Sequence, residues 1–381
     1  MSQPDASYLA SLRVRYAKAS KKERTKILDE YVATTGCHRK YAIAVLLGKR
    51  KRTARPIKRP RRCQYTVEDA QAILMLAELF DGICSKRLRA AMDNELPKLR
   101  EQNLLPVSLE CYKRLLRVSP STMDRLRTRY GRRVGRSRGF TKPGALLKHQ
   151  IPVRTWAQWN EDRPGFCEMD LVDHSGGNPR GDHAWTLDFT DVKTGWTECA
   201  AVPNKAQRYV FDAIKRVRER LPFPLLGIDS DNGSEFINDE LYRYCLQEQI
   251  TFTRSRLGRN NDNAFIEQKN WSVVRRAVGY ERYDTPDQLL LLNRLYNVMH
   301  FYVNFFLPVT KLLRKERQGS KVKKIYDEPQ TPYARVLASP DVSEEVKNDL
   351  RTTYQALNVV QLRQRLDDLL DQLGVLLLAK A

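Results

Sequence analysis

Apolar positions between residues 7 and 49 recur every three or four residues, in SYLASLRVRYAKA, in KKERTKILDEYVATTG and in CHRKYAIAVLLGK. That period predicts three helices, with Ser20 placed as an N-cap and Gly36 as a stop. A second periodic block runs through TVEDAQAILMLAELFDGI, SKRLRAAMDNELPKLREQ, SLECYKRLLRV and STMDRLRTRYGRR. From about residue 151 the period shortens. FCEMDLV (166–172), AWTLDFTDV (184–192) and WTECAAVP (196–203) read as strands, with Gly176, Gly177 and Gly195 in the turns between them. Connections this brief imply an antiparallel meander. Val210, Ile214 and Val217 then mark one side of a helix within 205–220, LLGIDS is a buried strand, 238–249 a helix, ITFTR a strand and 263–279 a long helix.

The resulting order, βββαβαβα, predicts a mixed sheet flanked by helices on both faces, which is the RNase H-like arrangement. The fold class expected is α/β: an RNase H-like catalytic core with a mixed five-stranded sheet, preceded by all-α helix-turn-helix domains and followed by a mainly helical C-terminal region. The segments divide as a helix-turn-helix domain at 1–49, a basic linker at 50–64, a second helix-turn-helix domain at 65–133, a basic linker at 134–150, the core at 151–282 and the C-terminal region at 283–381. In that last region a helix is expected over 286–304. KVKKIYDEPQTPYARVL suggests a small basic strand pair or an extended arm. The closing stretch aligns Leu362, Leu366, Leu369, Leu373 and Leu376 in one stripe, for a partner helix or for packing within the chain.

Charge sharpens this division. Residues 1–150 hold 35 Lys and Arg against 13 Asp and Glu, whereas residues 151–381 hold 32 of each, so the whole formal charge of +22 sits in front. A segment that basic attracts a polyanion, and nucleic acid is the commonest one, because each neutralised phosphate releases a counterion. In the third helix Arg39 and Lys40 stand where a recognition helix meets DNA, and Arg125 and Arg129 share a face in the last helix of the second block. No apolar run approaches the roughly 18 residues of a membrane span, and MSQPDASYLA lacks a signal-peptide layout, so a soluble, cytoplasmic protein is expected. Seven scattered cysteines with no C-x-x-C pair argue against disulfides and a structural zinc site.

The chemistry is suggested by acids at strand ends. In such a sheet the strand FCEMDLV lies parallel to LLGIDS, which sets Asp170 beside Asp231 at the carboxyl ends, where ligands of open sheets gather. Asp173 or Asp188 could stand in for Asp170, and Asp229 rivals Asp231; Glu235 suits the cap of the next helix, and Asp262 and Asn263 the loop and helix start that follow. Thirty-five residues separate Asp231 from Glu267, room for a helix, a strand and a loop. Three such carboxylates repel unless cations join them, and hard oxygen donors suit two Mg²⁺ ions about 4 Å apart, with Mn²⁺ as a substitute.

Asp170, Asp231 and Glu267, together with DNGSEF, NDNAFIEQKNW and the Thr194–Trp196 TGW, resemble the D, D-35-E signature of bacterial insertion-sequence transposases with a retroviral-integrase-type catalytic core. The resemblance spans roughly residues 150–305, and the His2Cys2 zinc module of the retroviral enzymes has no counterpart. It implies a DNA transposase, a polynucleotidyl transferase that hydrolyses phosphodiesters and transfers strands with Asp170, Asp231 and Glu267 as catalytic and metal-holding residues. It further implies double-stranded DNA, both element ends and target, as partner, a homo-oligomer on that DNA, and a nucleoid association when bound. Arg254, Arg256, Arg259, Lys269 and Asn270 are candidates to hold phosphates. A catalytically inactive DNA-binding regulator and a structure-specific nuclease are the competing expectations.

Overall fold

The computed structural model describes residues 6–48, 64–131, 162–231, 233, 235–236, 238–254, 264–318 and 321–379. The chain divides into two compact units, Met1–Gln64 and Tyr65–Ala381.

The first unit holds α1 (Ala6–Lys18), α2 (Lys21–Thr35) and α3 (Arg39–Leu46). The α2 start is fixed by the Glu23 carboxylate, which accepts from the Ser20 N–H and hydroxyl, both at 2.8 Å. Its end is fixed by Gly36, whose φ of 65° closes the helix onto the Val32 carbonyl. Leu12, Tyr16, Ile27, Leu28, Tyr31, Ala42, Val45 and Leu46 form its core. Tyr41, grouped by its spacing with the buried positions of α3, instead stays 41% exposed.

The second unit opens with α4 (Val67–Leu79), α5 (Ser85–Glu101), α6 (Leu109–Leu115) and α7 (Pro120–Tyr130). Asp69, wholly buried, caps α4 by accepting from the Thr66 N–H at 2.6 Å and reaches Arg114 at 2.9 Å. The sheet follows: β1 (Phe166–Asp173), β2 (Trp185–Asp191), β3 (Thr197–Val202), α8 (Gln207–Arg218), β4 (Gly227–Ser230), α9 (Asp239–Gln247) and β5 (Thr251–Arg254). A single helical rod then carries α10 (Ala264–Lys269), a π-helical stretch Asn270–Arg275 and α11 (Arg276–Val278). The remainder is α12 (Pro286–Phe301) with a π-helical end Tyr302–Phe306, the hairpin β6 (Leu312–Gln318) and β7 (Lys321–Tyr326), and α13 (Pro332–Ala338), α14 (Glu344–Ala356) and α15 (Val359–Leu378).

Strand order is β3-β2-β1-β4-β5, antiparallel across β1, β2 and β3 and parallel across β1, β4 and β5. That order and those directions are the RNase H-like fold. Alternation divides the sheet into two faces. Cys167, Met169, Leu171, Leu187, Phe189, Ile228 and Phe252 share an apolar core with Val210, Ile214 and Leu241 of α8 and α9. The opposite face carries Glu168, Asp170, Thr186, Asp188, Asp229 and Thr253, set side by side by the strand register.

Helix α12 closes the free side of β3. The Asn304 side chain accepts from the Thr197 N–H at 2.8 Å and donates to its carbonyl at 2.9 Å. Asn293 does the same to Ala201, both at 3.1 Å, and Arg220 donates to the Cys199 carbonyl at 2.9 Å. Leu366 and Leu373 of α15 are buried in a core that also includes α4–α7 and α12, so the leucine stripe packs within the chain. Tyr302 donates to the Leu79 carbonyl at 2.5 Å, and Arg276 pairs with Asp81 at 3.0 Å.

Candidate active site

The parallel register ends with Met169 paired to Ser230, so Asp170, in the middle of β1, and Asp231, just past the carboxyl end of β4, each stand one residue beyond that pair. Asp170 accepts from its neighbour Leu171 N–H at 2.8 Å and from Asn270 Nδ2 at 2.6 Å. Asp231 accepts from the Gly233 N–H at 2.8 Å, a turn that aims its carboxylate back over the sheet. Burial, and then the charge of Asp231, push the Asp170 carboxyl up to about 7, against the Leu171 and Asn270 donors; Glu235 adds to the rise. Asp231 is raised too, first by burial and then by Glu235, with the Gly233 N–H and Lys205 opposing.

A buried carboxyl lifted by the charge of a neighbouring one is an oxygen donor in want of positive charge, which is the chemistry of a hard divalent cation site. Among the described residues no group of three His, Cys, Asp or Glu side chains is arranged to hold a metal. Glu267 lies on α10, and its side chain falls outside the described residues. The rod carrying it is pinned to the sheet by Glu168, which accepts from the Ile266 N–H at 2.9 Å. Sequence reasoning passed over Glu168, although its alternation with Asp170 in β1 puts both on one face.

The other candidates are distributed as follows. Asp188 lies directly across from Asp170 in the β1–β2 register and is fully buried. Burial raises it to about 8; Asp170 adds to the rise and Lys269 opposes it. Asp173 binds Ser175 and His183 instead, and Asp229 is buried against Thr253. Glu235 does not cap α9. That role belongs to Asn238, which accepts from the Leu241 N–H at 2.9 Å because it stands at the last non-helical position. Lys269, with 8% of its surface exposed, is turned inward, donating to the Gly195 carbonyl at 3.1 Å. Burial lowers it to about 8. Asn270 contacts Asp170, so it serves the acid and not a surface groove. Arg39 is ion-paired with Asp29, Lys40 is exposed, Arg125 is exposed beside Thr122, and Arg129 lies over the Tyr130 ring. Arg254 is half-buried at the end of β5, while Arg256, Arg259, Asp262 and Asn263 lie outside the described residues.

No protein-family model matches the chain. It is 40% identical over 323 residues to the uncharacterized protein y4rM of Sinorhizobium fredii (strain NBRC 101917 / NGR234), across 84% of this chain and 91% of y4rM. The chain belongs to the y4rM family. Solved structures similar to this family member include the HTLV-2 integrase catalytic core domain in complex with magnesium, in a dimeric form, at 15% identity and a TM-score of 0.29 over 38% of this chain and 90% of that one. The BIV integrase catalytic core domain matches at 17% identity and a TM-score of 0.29 over 50% of this chain and 98% of that one. The fold assignment rests on strand order and direction, not on these overlaps. Among the described residues no helix is long and apolar enough to cross a membrane.

Proposed function

We propose that this chain is a DNA transposase, a polynucleotidyl transferase that hydrolyses a phosphodiester at an element end and joins the freed 3′-OH to target DNA. The observation that carries the reading is Asp170 and Asp231, each one residue past the last pair of the parallel β1–β4 ladder, with Asp170 held at about 7 by burial and by the charge of Asp231. Acids perturbed by burial plus a specific neighbour, at the carboxyl edge of an open sheet, are the mark of a working site.

In this reading Asp170, Asp231 and Glu267 would hold Mg²⁺ or Mn²⁺. Bound there, the metal would supply Lewis acidity for phosphoryl transfer. The chain's own residues provide the orientation. Asn270 fixes the rotation of the Asp170 carboxylate, the Gly233 N–H fixes that of Asp231, and Glu168 anchors to the sheet the rod on which Glu267 lies. Lys269 and Asp188 form a buried pair of opposite charges beside Asp170, Asp188 lying across from it in the β1–β2 register. DNA would be gripped by the basic front of the chain, with Arg39, Lys40, Arg125 and Arg129 on helix surfaces and Arg254 at the sheet edge. Copies of the chain would assemble on paired ends.

The test is strand transfer from a labelled element-end oligonucleotide with Mg²⁺. Asp231→Asn and Glu267→Gln are each expected to lower the rate at least ~1,000-fold, the loss typical when a charge-stabilising group is removed from such a site, while DNA binding is retained. Wild-type rates in either variant would refute the assignment. Cleavage without joining would instead mark a nuclease.

A further inference from the structure

Beside the acid-bearing face lies a cavity of about 480 Å³, between the start of α5, the Thr190–Gly195 turn, the α10 rod and β7. Its volume is that of a small-molecule site. Among the described residues of its wall, Arg87, Lys269, Arg276, Lys311 and Lys324 are cationic and Asp81 is the acid. Asp81 is already shared between Arg276 at 3.0 Å and Arg363 at 3.6 Å. The other buried cations reach neutral carbonyls: Arg87 that of Pro308, Lys311 that of Lys193 at 2.7 Å, and Lys269 that of Gly195 at 3.1 Å. The charges of Asp188 and Asp191, which face Lys269 and Lys311 from β2, offset them only in part. Burial and the neighbouring Arg335 hold Lys311 down to about 8, and burial lowers Arg87 as well.

The rest of the wall mixes Thr190, Gln268, Ser272 and Thr310 with apolar Ile83, Val273, Val303, Leu307 and Val309, and an exposed Tyr326 ring stands in it. Clustered cations beside an apolar surface with an aromatic ring match a phosphate attached to a nucleoside: the anion neutralises the surplus charge and the base covers the ring. We propose that this cavity binds a nucleoside phosphomonoester, either a free nucleotide or the 5′-phosphorylated terminal nucleotide of a DNA strand. Neither Asp170 nor Asp231 lines this cavity, and the proposal does not require the transposase reading.

The full chain is titrated calorimetrically with deoxyadenosine 5′-monophosphate, and by fluorescence anisotropy with single strands of about ten nucleotides bearing a 5′-phosphate or a 5′-hydroxyl. The expected result is binding of the monophosphate, or a preference of roughly tenfold or more for the phosphorylated strand, as for a charge-assisted contact. Lys324→Gln and Arg276→Gln, at exposed positions, are expected to weaken that binding about tenfold each. Lys323→Gln, exposed on the same hairpin, leaves it unchanged, and thermal melting verifies that all three variants fold. Binding of the monophosphate alone assigns the site to a free nucleotide, and binding of the phosphorylated strand alone assigns it to a strand end. The proposal is overturned when the monophosphate fails to bind and the two strands bind equally, or when neither Lys324→Gln nor Arg276→Gln weakens binding.

Discussion

Replacing Asp170 by Asn should make the metal-free protein more stable at pH 8 and leave it unchanged at pH 4. In the unfolded chain this carboxyl titrates near its ordinary value of 3.8, and in the folded protein at about 7. Below pH 4 it is protonated in both states and costs nothing. As pH rises through the interval the unfolded state loses its proton first, so stability falls, and above pH 7 the full penalty of a crowded, desolvated charge remains. Raising a carboxyl from 3.8 to about 7 corresponds to about 4 kcal/mol. An amide removes that charge but cannot accept from both the Leu171 N–H and Asn270 Nδ2 as a carboxylate does, which returns about 1 kcal/mol or more. A net gain of about 1–3 kcal/mol follows, equivalent to a rise of roughly 1–4 °C in melting temperature for a protein of this size. Thermal melts in chelator at pH 8 and pH 4 measure it, and saturating Mg²⁺ should stabilise the wild type while raising the variant much less. A variant that melts at or below the wild-type temperature at pH 8, or gains equally at both pH values, would refute the account of a repelling carboxylate pair.

Asn270→Ala removes a donor that favours the charged form of Asp170, so the lower limb of the pH–rate profile should move upward by about one pH unit, with activity regained toward pH 9; a loss equal at all pH values would mean only a damaged fold. Asn304→Ala leaves the Thr197 N–H and C=O without partners in a fully buried place and should cost about 2–4 kcal/mol in urea unfolding. An unchanged midpoint would contradict this. Removing residues 1–64 should leave a cooperative fold with a melting temperature within a few degrees of the full chain, whereas removing residues 1–130 strips α4–α7 from a shared core and should give aggregate. A soluble, cooperatively melting 131–381 fragment would overturn that division.

The sheet was legible because its signals are local: period-2 runs, brief Gly turns, then alternation with helices. The strand order makes β1 and β4 parallel neighbours, and their register, Met169 against Ser230, sets the next residue of each, Asp170 and Asp231, together. What was not legible depends on rotation and partner. Lys269 and Asn270 are consecutive in sequence, and both read as polar residues near a helix surface. The helix passes from α to π geometry between them, and the rod lies flat on the sheet, so one points toward Gly195 and Asp188 while the other meets Asp170. Their burial is set by packing that no spacing rule contains. Likewise an amphipathic helix announces that it needs a partner but not which one, and α4–α7 share theirs with α12 and α15. Asn238 holds the cap that Glu235 could have filled because it is the residue directly before α9, whereas Glu235 lies in the turn ahead of it.

The amides of Asn293 and Asn304 and the guanidinium of Arg220 have a further bearing on how copies could meet. By satisfying the outward-facing main-chain groups at Thr197, Cys199 and Ala201, they leave that margin of the sheet with no ladder for a foreign strand to join. Two molecules therefore cannot fuse their sheets into one continuous sheet along this border.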